Sequence, residues 1–82
     1  MATFKDMEKV WNEWMSSHYV GDETLLKGID LLEEIGEAYV EENGFSSISS
    51  AIGKIDSKVE FGEKALAAYQ RLLDFIEKNK SN

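Results

Sequence analysis

Three stretches of this chain repeat apolar residues with the period of an α-helix. In the first, Phe4, Met7, Val10, Trp11, Trp14, Met15 and His18 fall on one arc, and Thr3 followed by Asp6 resembles a capping box with Asp in place of Glu. The pattern predicts a helix from about Phe4 to Ser17. Tyr19 to Gly21 break the period, Asp22 can cap a second helix, and Glu23 complements the dipole of its first turn. Leu25, Gly28, Ile29, Leu32, Ile35, Gly36, Tyr39 and Val40 form that helix's apolar face, and Asn43-Gly44 supplies its stop. Phe45 with Ser46, Ser47, Ser49 and Ser50 reads as a short turn and a cap.

From Ser46 to about Lys78 the steps of three and four continue through Ile48, Ile52, Ile55, Val59, Gly62, Leu66, Tyr69, Leu73 and Ile76. This predicts one long third helix, of roughly 45–50 Å if continuous. Ser57-Lys58-Val59-Glu60 is itself a capping-box pattern and marks where a kink would fall, near Asp56. After residue 60 a second seam joins the first: Phe61, Ala65, Ala68, Leu72 and Phe75. Two seams need two partners. One is the second helix; the other is either the first helix folded back or a second copy of the chain, in which case Phe61, Leu72 and Phe75 form the oligomer interface. A short turn near Gly44 makes helices two and three antiparallel, with paired positions summing to about 90, so that Gly28 faces Gly62 in a close backbone approach. The expected architecture is therefore all-α: one helical domain over residues 1–82, a hairpin of helix two and a long helix three with the N-terminal helix packed on it, and assembly into a homo-oligomer.

Composition narrows what such a domain can do. The 82 residues contain no Cys and no Pro, which excludes disulfides and thiolate metal sites. No apolar run approaches the ~18 residues of a membrane span, and no basic segment with an apolar run opens the chain, so a cytoplasmic protein without membrane contact is expected. The net charge of −7 lies in residues 22–42, where eight acids face Lys27 alone. Duplex nucleic acid is excluded as a partner of that surface.

Candidate chemistry is sparse. The single His, His18, sits at the apolar edge of the first helix, where packing or capping is expected, and no phosphate loop, zinc spacing or nucleophile elbow is present, so no catalytic residue is assigned. The carboxylates are the exception. Asp30, Glu34, Glu37 and Glu41 step down one face of the second helix, and Glu33 and Glu37 lie one turn apart. That face suits a solvated surface, a basic protein target, or a hard cation such as Mg²⁺.

Two family resemblances extend these alternatives. Leu32-Glu33-Glu34-Ile35-Gly36-Glu37 resembles the EExxE motif of MazG-like all-α nucleotide pyrophosphatases, and Glu60-Phe61-Gly62-Glu63 is similar to their later ExxD with Glu for Asp. The resemblance implies Mg²⁺ held by Glu33, Glu34, Glu37, Glu60 and Glu63. Gly36-Glu37, Ala51-Ile52-Gly53-Lys54, Asp56 and Phe61 are in turn similar to the helical hairpin of small phage proteins that sequester cyclic oligonucleotides and block CBASS signalling. That resemblance implies a non-catalytic oligomer, acting in the host cytoplasm without a cofactor, with a nucleotide pocket where Lys54, Lys58, Lys64 and Arg71 meet phosphates. The expectation is a counter-defence inhibitor that sequesters a cyclic nucleotide or blocks a basic protein target with its acidic helix. A Mg²⁺-dependent pyrophosphatase is the alternative.

Overall fold

The computed structural model describes residues 2–44 and 59–80. The fold is all-α: among the described residues the helices are α1 (Phe4–Ser17), α2 (Asp22–Glu42) and α3 (Glu63–Lys78). α1 starts where the capping box is written. The Asp6 amide donates to Thr3 Oγ1 at 3.3 Å while the Thr3 amide donates to Asp6 Oδ2 at 2.9 Å. α2 takes Gly21 as its N-cap, so Asp22 and Glu23 are its first helical residues and act through the dipole rather than as a side-chain cap. It ends as the sequence indicates, with Asn43 Nδ2 donating to the Tyr39 carbonyl at 2.9 Å and Gly44 in the left-handed region at φ 74°.

α2 and α3 form the most extensive helix pair and run antiparallel, since Glu41 meets Lys64 while Glu34 meets Arg71. Both pairs sum to 105 rather than the expected 90, which displaces the register by 15 residues, about four helical turns. The Gly28–Gly62 approach is therefore not formed. A Cβ at Gly28 would lie 2.9 Å from the Trp11 ring and 3.4 Å from Phe75, so this glycine seats the indole of α1 against α2. At Gly62 a Cβ would instead meet the Glu42 carboxylate, 2.7 Å away.

The third helix also begins later than its periodicity suggests. Val59 and Glu60 are not helical, Thr3 bridges antiparallel to Glu60, and the Phe61 amide donates to the Ala2 carbonyl at 2.7 Å. The chain arrives at α3 extended, paired with its own N-terminus, and turns helical at Glu63 after the Gly62 N-cap. Ser46 to Lys58, including the Ser57 capping pattern and the kink near Asp56, lie outside the described residues.

The core explains why α3 carries two seams. Phe61, Ala65, Ala68, Leu72, Tyr69 and Ile76 are buried along one broad face, while Leu66, Leu73 and Phe75 flank it half-buried. α2 takes one flank, where Phe75 reaches Gly28; α1 folds back onto the other, where Val10 and Trp14 share a cleft with Ile76. Phe4 stands edge-on to Tyr39 at 4.8 Å and to Phe61 at 5.0 Å, and Trp14 edge-on to Phe75 at 5.9 Å. Each such pair adds about 0.5–1.5 kcal/mol beyond area burial. The expected oligomer interface is thereby corrected: Phe61 and Leu72 are 2% and 0% exposed within one chain, and Phe75 is held between Trp14 and Gly28. The first helix supplies the partner that a second copy was invoked to provide.

Candidate functional site: the acidic face of α2

α2 turns Gly28, Ile35, Tyr39 and Val40 inward, and this choice of face puts its acids outside. Asp30, Glu33, Glu34, Glu37 and Glu41 are all exposed. Two of them are neutralised from α3, Glu41 by an ion pair with Lys64 and Glu34 by Arg71 at 3.9 Å. Asp30, Glu33 and Glu37 have no ion-pair or hydrogen-bond partner among the described residues. Exposed pairs of this kind contribute only ~0–1 kcal/mol, so they shape the surface potential more than the stability.

The structure brings two predicted sets together in one groove. Glu34, Glu37 and Glu41 of the acidic face line it with Lys64 and Arg71 of the phosphate-binding set. The two basic side chains are turned to the acids, and Lys54 and Lys58, the other members of that set, lie outside the described residues. Asp30 and Glu33 sit on α2 beyond the groove's lining. The carboxylates of the pyrophosphatase resemblance divide: Glu60 and Glu63 lie in a hollow with Glu41, Glu42 and Asn43, while Glu34 and Glu37 line the groove with Arg71. Among the described residues no group of three or more His, Cys, Asp or Glu is close enough to hold a metal ion.

Glu42 escaped the sequence reasoning. Its Oε2 accepts from the Gly62 amide at 2.6 Å and its Oε1 from the Ala65 amide at 3.1 Å. One carboxylate from the end of α2 thus performs both bonds of a capping box for the start of α3. The available signal was electrostatic: Glu41 and Glu42 occupy the last turn of α2, where the dipole disfavours acids and no basic residue offsets them. The positive end of α3 and Lys64 supply the compensation.

Two further groups are notable. His18 is the C-cap of α1, its amide donating to the Trp14 carbonyl at 3.1 Å, and lines a cleft with Glu13, Ser17 and Lys80; Trp14 Nε1 and His18 Nδ1 are buried there without a hydrogen-bond partner among the described residues. Burial, with a smaller contribution from Asp6, raises the Tyr69 hydroxyl above its ordinary pKa of 10.0. No helix among the described residues is long and apolar enough to cross a membrane. No family model matches the chain, and neither a curated protein nor a solved structure matches it.

Proposed function

We propose that this protein is a non-catalytic binding protein, an inhibitor of the phage counter-defence type, that blocks a basic protein target with the exposed face of α2. The observation that carries this is the imbalance of charge across the α2–α3 groove. Among the described residues Asp30, Glu33 and Glu37 are exposed without a counter-charge, whereas Lys64 and Arg71, which a phosphate-bearing ligand would need, already face Glu41 and Glu34. An anionic ligand entering that groove would have to displace both carboxylates and meet their repulsion; a cationic partner finds the acids presented.

Native mass spectrometry tests the choice with three probes: Lys/Arg-rich helical peptides, a panel of cyclic oligonucleotides, and nucleoside triphosphates with Mg²⁺. Retention of the cationic peptides, lost in Glu33→Gln/Glu37→Gln, supports a basic target. Retention of an intact cyclic nucleotide on an oligomer would replace it with the sequestering activity, and cleaved nucleotide with the pyrophosphatase.

A further inference from the structure

The acidic face is not uniformly polar. Leu26 is 63% exposed and Ile29 37%, and along the helix Asp22, Leu26, Ile29, Glu33 and Glu37 follow one another at steps of three and four, with Asp30 beside them. Single apolar side chains on a surface are ordinary; here two lie one turn apart in a row that is acidic at both ends. A small apolar centre inside a charged rim is the anatomy of an energetic hot spot, where the rim supplies orientation and the centre supplies affinity.

We infer that the partner of this face is a cationic amphipathic helix, one that places an apolar residue over Leu26 and Ile29 and Lys or Arg against the carboxylates on either side. This deepens the functional reading above and rests on it. Charge decides the occupant. A second copy of the chain docking through the same face would set acid against acid, and a nucleic acid would be repelled by the same field, whereas a basic helix satisfies both elements of the row. The row from Asp22 to Glu37 spans about 22 Å, which a partner helix of four to five turns matches.

Two synthetic helical peptides of identical composition provide the probe. Both carry a lysine stripe; one places two leucines at the centre of that stripe and the other places them on the opposite side. Fluorescence anisotropy at moderate salt should show the first binding at least tenfold more tightly, and Leu26→Gln should erase that ratio while leaving the melting temperature unchanged. Equal affinity for the two peptides, with Glu33→Gln/Glu37→Gln weakening both, would overturn the apolar centre and leave the acidic docking face standing. Failure of both peptides to bind would remove the docking face as well. Concentration-dependent self-association that Leu26→Gln abolishes would make a second copy the occupant and overturn the inference.

Discussion

Among the described residues, Glu42 is the one side chain of α2 that holds the start of α3 by its backbone, and replacing it by Ala removes that link. The Gly62 amide is at an exposed residue and water can take it over, but Ala65 is fully buried, and its amide loses the bond at 3.1 Å with little access to solvent. Loss of a cap costs about 0.5–2 kcal/mol, and the two dipole effects of the charge, favourable at α3 and unfavourable at α2, are each ~0.3–1 kcal/mol and oppose one another. The net expectation is a loss of about 1–2 kcal/mol, or roughly 5–15 °C in melting temperature for a domain of this size. Glu42→Gln should cost about half as much, because the amide oxygen still accepts from Ala65. Gly62→Ser sharpens the test. In the parent its Cβ would crowd the Glu42 carboxylate at 2.7–2.8 Å, exchanging one cap for another with little or no gain. In the Glu42→Ala background that space is free and the introduced hydroxyl can accept the Ala65 amide, so Gly62→Ser should restore stability by about 1 kcal/mol. Urea denaturation followed by circular dichroism measures the parent and the four variants. Additive effects within ~0.3 kcal/mol would refute the shared cap.

Three other outcomes follow from the same geometry. Gly28→Leu should destabilise by about 1–3 kcal/mol, because Trp11 and Phe75 already occupy the space; a thermal melt that does not fall contradicts the seating of α1 on α2. Tyr69 holds its proton more tightly when folded, so its contribution is complete below pH 10 and is lost as the pH rises through the raised folded value; Tyr69→Phe should flatten that part of an alkaline stability profile, and parallel profiles would argue against the burial of the hydroxyl. Lys64→Gln should change stability by less than ~1 kcal/mol yet tighten binding of a cationic peptide by releasing Glu41, and weaker binding would count against the α2 face as the docking surface.

Local signals made α1 and α2 legible. Thr3 and Asp6 lie three positions apart, and Asn43-Gly44 stops α2 through its own backbone, so the cause of each boundary is contained in the residues that show it. The start of α3 has no such local cause. Val59 and Gly62 continue an apolar register, but Phe61 is drawn into the core against Phe4 while its amide pairs with Ala2, and Glu42 caps the helix from twenty positions away. None of these partners can be read from spacing. The second seam was read correctly as needing a second neighbour, and only the aromatic payload of α1 decided that the neighbour belongs to the same chain. For the candidate site, the acids on α2 were visible as a row, whereas their pairing with Lys64 and Arg71 depended on the displaced register of the hairpin.

The pairing of Phe61 with Ala2 bears on the order in which the chain assembles. Closing α2 onto α3 through Glu42 and Gly62 spans 20 positions, while joining the N-terminus to Phe61 spans 59. The longer closure costs about 1 kcal/mol more chain entropy. Substitutions at the α2–α3 clasp should therefore slow refolding, and those where α1 docks should chiefly hasten unfolding, so that the protein completes its acidic helix before it anchors its first residues.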